Sequence, residues 1–142
     1  MKFSRIAPSD IPKVNDLFKI AYPDAWKKTG RTFNEKHVAS RLREARKKDF
    51  LIKVVEKSGM IGFGWAGKDT DLLGNKFGEI KLILVKPSYQ NRQLGSRILE
   101  YLEKRLKTKD LRLFVLSFNP AKKLYKQKGY VDFGFHLRKS NL

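Results

Sequence analysis

The chain has 142 residues and a formal net charge of +18, because 32 lysines and arginines outnumber 14 aspartates and glutamates. It has no cysteine and only two histidines, His37 and His136, so we expect neither a disulfide nor a metal site. A hydrophobic share of 41% can form a core, and the length suits a single domain spanning residues 1–142.

The location of the protein is suggested by what the sequence lacks. Its first residues contain no apolar stretch like that of a signal peptide, and nowhere do about eighteen apolar residues follow one another. We therefore expect a cytoplasmic protein with no membrane contact.

The positive charge would attract nucleic acid or another polyanion. Because the charge is scattered along the chain and no nucleic-acid-binding motif occurs, we do not favour a nucleic-acid partner.

The spacing of apolar residues predicts strands and helices in alternation. Helix starts are indicated by Ser9 with Pro12 and by the capping box of Thr32 and Glu35, and Gly129 indicates a helix end. The predicted elements are a strand at 2–6, helices at 9–21 and 32–45, strands at 50–56, 60–66 and 78–85, a helix at 92–106, a strand at 111–116, a helix at 121–128 and a strand at 130–137.

This order, βααβββαβαβ, predicts the fold class. The hairpin formed by 50–56 and 60–66 implies antiparallel pairing. The strand–helix–strand crossover from 78 to 116 implies a parallel pair with a right-handed connection. Both are satisfied by an α/β fold of the α+β type, in which a mixed sheet has helices on both faces.

The stretch after the strand at 78–85 indicates a binding site. The strand stops at Pro87, and a polar loop leads through Gly95 and Ser96 into a helix. A helix start exposes unpaired N–H groups and a partial positive charge, which together attract phosphate, and Arg92 adds a cation. An alternative is that Gly95 only allows the helix to pack closely on the strand. The spacing alone leaves both readings open.

Two motifs resemble the GNAT superfamily of N-acetyltransferases, in particular its small single-domain members. The first is Val85-Lys86-Pro87 followed by Gln90-Asn91-Arg92-Gln93-Leu94-Gly95, and the second contains Asn119, Ala121, Leu124-Tyr125 and Gly129-Tyr130. Two departures stand out. Gln93 occupies the position of a motif glycine, and Asn119 lies one residue nearer Ala121 than usual.

The resemblance implies acetyl-CoA as the co-substrate and no metal. It implies a central sheet that splays at the end of the V-x-P strand, where the pantetheine arm pairs with the backbone and the pyrophosphate binds the following loop. The cofactor-binding residues implied in this way are Ile83, Leu84, Val85, Gln90, Asn91, Arg92, Gln93, Leu94, Gly95, Ser96, Asn119 and Lys128.

The resemblance also implies direct attack by a primary amine, from a small molecule or a protein, on the thioester. Glu79 is the candidate base or water-positioning residue, and Tyr125 is the candidate acid for the thiolate. The acceptor would lie near Tyr22, Trp26, Phe33 and the loop 69–74. For Trp26 and Phe33 the alternative is core packing.

Two further hypotheses remain. The chain could be a basic, catalytically weak module of the same fold that binds RNA, the ribosome or another polyanion. Gln93 and Asn119 favour that reading, whereas Glu79 and Tyr125 oppose it. Few residues follow the strand at 130–137, so the sheet would keep an exposed edge unless a homodimer covers it.

Overall fold

The computed structural model describes residues 1–23 and 28–139. Within these residues, none of the helices combines the length and the apolar character that crossing a membrane requires. The elements are β1 (Lys2–Arg5), α1 (Ile11–Ala21), α2 (Glu35–Arg46), β2 (Phe50–Glu56), β3 (Gly59–Thr70), β4 (Lys76–Val85), α3 (Leu94–Leu106), β5 (Leu111–Leu113) and α4 (Ala121–Gln127), with 3₁₀ turns at Pro8–Asp10 and Pro87–Tyr89.

The strands form one sheet in the order β1-β2-β3-β4-β5. The first three pairings are antiparallel, and β4 pairs with β5 in parallel. The connection between the parallel strands runs through α3, as a parallel pair requires. The predicted mixed sheet is therefore confirmed.

Helices cover both faces of the sheet, and a core lies under each layer. The apolar stripe of α3, formed by Leu94, Ile98, Leu102 and Leu106, packs on one face together with strand residues that include Ile52, Ile83 and Val85. On the other face, α1 and α2 pack against Leu51, Phe63 and Leu84. Alternate residues of β4 thus belong to opposite cores, because successive side chains of a strand point to opposite faces.

The structure corrects the predicted last strand. Residues 130–139 have no regular secondary structure, and β5 ends at Leu113 instead of continuing to Leu116. The alternating sequence after Tyr130 is typical of a strand, but a strand also needs a neighbour to pair its backbone. β5 is three residues long and already pairs with β4.

The caps of the first two helices also differ from the prediction. Ser9 lies inside a 3₁₀ turn, which Asp10 closes by accepting the N–H of Ala7 at 2.7 Å. The second helix begins at Glu35, where the Asn34 side chain accepts a backbone N–H, so Thr32 lies before the helix. At α2 a neighbouring side chain thus makes the capping bond, whereas α1 follows Asp10 with no side-chain capping bond.

Candidate active site

The opening between β4 and β5 is the feature around which the candidate site is built. The two strands pair only where Gly78 to Ile80 lie against Leu111 to Leu113. Beyond that point β4 continues to Val85, and no other strand of the described residues pairs with its far edge. The predicted splaying of the sheet is confirmed, and it leaves the last residues of β4 with an open edge.

The register with β3 decides which main-chain groups face this opening. Lys86 donates its N–H to the carbonyl of Ile61, just beyond the last pair of β3 and β4, at 2.9 Å. Because main-chain groups alternate between the two edges of a strand, Leu84 also faces β3, whereas Ile83 and Val85 face the opening. Of the three residues that the resemblance implied, Leu84 therefore presents no main-chain group to the opening.

Two side chains hydrogen-bond to the open edge. Tyr22 donates its hydroxyl to the carbonyl of Ile83 at 3.1 Å. Gln90 donates its amide to the carbonyl of Val85 at 3.1 Å and to that of Ala21 at 3.4 Å. The end of α1 and the loop after β4 are thus both tied to the strand at the opening.

A β-bulge at Lys81 shapes the same strand. The pairing shifts between Trp65 and Ala66, which leaves Lys81 as the extra residue of β4. The Lys81 ammonium lies 3.1 Å from the carboxylate of Asp49, which also accepts the indole N–H of Trp65 at 2.9 Å. Sequence analysis missed this cluster, although a lysine inside an apolar strand was a visible signal.

The start of α3 offers unpaired N–H groups. The first helical bond runs from the N–H of Arg97 to the carbonyl of Gln93 at 3.0 Å. The N–H groups of Leu94, Gly95 and Ser96 therefore lack a helical partner. No side chain of the described residues makes a capping bond at this end. This helix start can accept an anionic group.

The loop before α3 is held in a left-handed conformation at two residues. Asn91 has a φ of 63° and Gln93 has a φ of 62°. Asparagine tolerates this region, whereas glutamine is strained there. The departure noted in the motif is therefore a physical one, because glutamine occupies a position whose backbone favours glycine.

The glycine at the helix start is not required by packing. A Cβ added to Gly95 would meet Leu124 at 3.5 Å and Val85 at 3.8 Å, both ordinary contacts, and the residue has no positive φ. Close helix–strand packing therefore does not explain Gly95. A helix start kept free of side-chain bulk is consistent with the approach of a ligand.

The charged residues around the loop already have partners. The Arg92 guanidinium lies 5.5 Å from the ring centroid of Tyr89. Lys128 forms a 2.8 Å ion pair with Glu100. Hydrogen bonding and charge from Lys128 lower the pKa of Glu100, and Ser96 contributes a further hydrogen bond. Lys128 is thus directed to α3, and its cofactor contact remains a prediction.

Tyr125 lies on α4 with its phenol partly buried. Burial raises its pKa far above the usual value, and the nearby Tyr22 phenol raises it further. The Tyr130 ring lies edge-on at 6.1 Å. Tyr125 is therefore neutral at neutral pH, and its hydroxyl can act as a hydrogen-bond donor. Since Tyr22 is bonded to Ile83, the two phenols lie near the open edge.

Glu79 lies in the sheet between Gly67 on β3 and Arg112 on β5. It precedes Ile83 by four residues, which corresponds to about 13 Å along the strand. A carboxylate at that distance would need water to relay a proton from the opening. Its role as base stays a prediction.

Three further predicted site residues are Asn119, Phe33 and Trp26. Asn119 accepts the backbone N–H of Ala121 at 2.9 Å, which closes a turn directly before α4. Phe33 is half-buried and packs edge-on against Phe18 with 5.3 Å between ring centroids, and its part in the acceptor site stays a prediction. Trp26 lies outside the described residues.

The turn at 69–74 is far from the opening. Lys76, where β4 begins, lies about 23 Å along the strand from Ile83. Backbone bonding from Asn75 and the Arg112 guanidinium lower the pKa of Asp71, whose carboxylate organises this turn. The turn thus lies at the opposite end of β4 from Ile83, and its part in the acceptor site stays a prediction.

The fold and the open strand edge define a class of protein. The sequence model of the Acetyltransferase (GNAT) family matches residues 11–130. The chain therefore belongs to the GNAT acetyltransferase family. A search of curated proteins gives no significant match.

Solved structures agree with this assignment at the level of the fold. The tetramutant of the BH1408 protein of Bacillus halodurans superposes with a TM-score of 0.85 at 20% identity, covering 99% of both chains. An aminoglycoside N-acetyltransferase, AAC(6')-Iy, in complex with CoA gives 0.78 at 11% identity, covering 99% of this chain and 93% of the other. Glucosamine-6-phosphate N-acetyltransferase of Arabidopsis thaliana gives 0.69 at 16% identity, covering 99% and 97%.

Proposed function

We propose that this protein is an acyl-CoA-dependent N-acetyltransferase that moves the acetyl group of acetyl-CoA to a primary amine. The observation that carries the proposal is the open edge of β4 beside the uncapped start of α3. Acetyl-CoA joins the amides of an extended pantetheine arm to a diphosphate. The amides match the open strand edge, and the diphosphate matches the helix start. Family membership and the CoA complex of one structural neighbour support the same ligand.

The chain's own groups would hold acetyl-CoA in two ways. The N–H groups of Leu94, Gly95 and Ser96 would bind the diphosphate, aided by the positive end of α3. The main-chain groups of Ile83 and Val85 would pair with the pantetheine amides as an added strand. Because Tyr22 and Gln90 already bond to those two carbonyls, the N–H groups of the same residues are the ready partners.

The transfer needs a neutral amine and a proton for the leaving group. The amine nitrogen attacks the thioester carbon, and the carbon–sulfur bond then breaks to release CoA thiolate. Tyr125 donates a proton to the sulfur and regains one from solvent, and the proton lost by the amine reaches solvent or Glu79 through water. Deprotonating an alkyl amine of pKa 10.4 at pH 7 costs about 4–5 kcal/mol, whereas a peptide N-terminus of pKa about 8 needs far less.

Thiol release from acetyl-CoA tests the proposal directly. The acceptors to compare are short peptides with free N-termini, polyamines, aminoglycosides and simple alkyl amines, each against a reaction without acceptor. Calorimetric titration with CoA reports binding independently of the acceptor. A protein that binds no CoA contradicts the proposal, whereas binding without turnover leaves only the acceptor to be found.

A second candidate function, polyanion binding, is supported by the placement of charge. Two open cavities on separate parts of the surface are lined by cations. One, of about 380 Å³, is lined by Arg5, Arg46 and Lys47 among others. The other, of about 580 Å³, is lined by residues that include Lys68, Lys76, Lys107 and Lys109. Cations that are scattered in the sequence thus come together around each cavity, and the second cavity lies at the hairpin end of β4, away from Val85.

Fluorescence anisotropy with a labelled single-stranded RNA tests this second function. Lysine contacts to phosphate release counterions, so affinity should fall steeply as salt rises. Replacing Lys68 and Lys76 by glutamine should weaken RNA binding, whereas the same change at Lys36 and Lys57, which lie outside both cavities, should have a smaller effect. If both pairs weaken binding equally, the RNA is bound by net charge and not by these cavities.

A further inference from the structure

The hairpin between β3 and β4 ends in a tip, residues 71–75, that the proposed function does not use. Leu72 and Leu73 follow one another in this hairpin tip, and their exposed fractions are 101% and 86%. A single exposed leucine is ordinary on a protein surface, but here two adjacent ones leave most of their surface in water. Exposed apolar side chains that come together indicate an interaction site.

The hairpin tip protrudes from the sheet. β2 pairs with β3 only as far as Ala66, and β5 pairs with β4 only from Gly78 onward. The last two pairs of the hairpin, which join 69–70 to 76–77, therefore have no third strand of the described residues beside them. The two leucines thus lie at the end of a two-stranded projection, where an extended surface can reach them.

The turn presents these leucines with its own backbone bonded. The Asp71 carboxylate accepts the N–H groups of Leu73 and Asn75 at 3.0 and 2.9 Å. The main chain of Asp71 makes further bonds with Gly74 and Asn75, and the Arg112 guanidinium lies 2.9 Å from the Asp71 carboxylate. Because a polar backbone group without a partner is costly in an apolar medium, a turn bonded in this way is suited to the edge of one.

Cations surround the base of the hairpin tip. Four lysines line one cavity beside it, namely Lys68, Lys76, Lys107 and Lys109. None of them takes part in an ion pair with another of the described residues. Asp69 is the carboxylate in the lining of the same cavity, so the cations are in excess. Their charge attracts a surface that carries phosphate.

We propose that the hairpin tip docks on an anionic lipid bilayer, with Leu72 and Leu73 among the lipid chains near the headgroups and the four lysines against the lipid phosphates. The burial of apolar area and the attraction of lysine to anionic lipid act together in such a contact. The expectation of no membrane contact rested on the lack of long apolar stretches, which this kind of docking does not need, and the proposal departs from it. It is independent of the acetyltransferase function.

Two other partners fit the hairpin tip less well. A single-stranded RNA would use the lysines, but it would leave both leucines in water. A protein would have to offer a pocket for the protruding leucines and carboxylates placed around that pocket for the lysines. A bilayer has an apolar layer beneath a layer of phosphates, and the leucines and the lysines follow one another in the same order from the end of the hairpin.

Vesicle sedimentation measures the contact. The protein should bind vesicles of phosphatidylglycerol and phosphatidylcholine, bind far less to phosphatidylcholine alone, and lose affinity as salt rises from about 50 to about 500 mM. Replacing both Leu72 and Leu73 by serine should weaken binding at least about tenfold, because serine gains nothing by leaving water. A protein that does not bind the anionic vesicles overturns the proposal.

The matched control replaces Val131 and Leu137 by serine. These residues are 79% and 94% exposed in the segment after α4, so the control also removes two exposed apolar side chains. It should leave vesicle binding unchanged, and a loss equal to that of the leucine variant overturns the proposal. If the leucine variant binds like the parent and only glutamine at Lys68 and Lys76 weakens binding, the surface binds phosphate in general, RNA included, and the proposal is wrong.

A fluorescent label tests insertion directly. The chain has no cysteine, so a Leu73→Cys substitution gives one thiol in the hairpin tip for a polarity-sensitive fluorophore. Anionic vesicles should shift the emission of this label to shorter wavelength, whereas the same label at Leu137→Cys should keep its emission. Equal shifts at both positions, or no shift at Leu73→Cys, overturn the proposal.

Discussion

Replacing Gln93 by glycine should stabilise the protein. Gln93 has a φ of 62° and a ψ of 9°, and its side chain makes no capping bond to α3. A side chain in this left-handed region costs about 1–2 kcal/mol, which glycine does not incur. Glycine also has more freedom in the unfolded chain, which offsets about 0.5–1 kcal/mol of that gain. The expected net gain is roughly 0.5–1 kcal/mol, or a rise in Tm of about 1–4 °C for a domain of this size.

Thermal and urea unfolding, followed by circular dichroism, measure this gain against two neighbours in the same loop. Asn91→Gly should gain less, because asparagine tolerates its φ of 63° better. Gln90→Gly should lose stability, since Gln90 has an extended backbone and donates to two carbonyls. A Gln93→Gly protein no more stable than the parent would refute the strain argument. A fall in its CoA affinity would show that the Gln93 side chain itself binds the ligand.

The remaining predictions concern the opening and its neighbours. Gly95→Ala should leave Tm within about 2 °C, because its Cβ meets only ordinary contacts, yet weaken CoA binding about tenfold in calorimetry by crowding the helix start. Tyr125→Phe should lower kcat about 100-fold with little change in the KM for acetyl-CoA, whereas Tyr101→Phe on α3, where the hydroxyl accepts from Arg105, should change neither. Because the pKa of Tyr125 is raised, turnover of a peptide amine should rise with pH as the amine deprotonates and stay level through pH 10, and an early decline would exclude Tyr125 as the acid. Asp49→Asn should cost about 1–3 kcal/mol in urea unfolding, because it leaves Lys81 without its carboxylate.

Local patterns in the sequence predicted most elements and the main-chain part of the site. The stripe of Leu94, Ile98, Leu102 and Leu106 predicted α3 because burial on one face leaves a helical period. The proline after Val85 and the glycine at position 95 marked the strand end and the helix start. These are features of neighbouring residues, so a single sequence contains them.

The sequence could not reveal contacts that depend on distant parts of the chain. Tyr22 reaches Ile83 across 61 positions, and Lys81 reaches Asp49 across 32. The last predicted strand failed for a related reason. Alternation from Val131 to Leu137 satisfies the side-chain pattern of a strand, but whether a neighbouring strand is available to pair with it depends on the whole fold.

Residues with a positive φ flank α3 at both of its ends. Among the described residues other than glycine, a positive φ occurs at Asn91 and Gln93 before this helix and at Lys107 directly after it. Each end also adjoins a surface suited to anions, namely the unpaired N–H groups at the start and the groove containing Lys107 at the end. Strained residues persist where a function offsets their cost. If Lys107 is kept for its charge, Lys107→Gly should raise stability and weaken RNA binding together, whereas Gln93→Gly should raise stability and leave RNA binding unchanged.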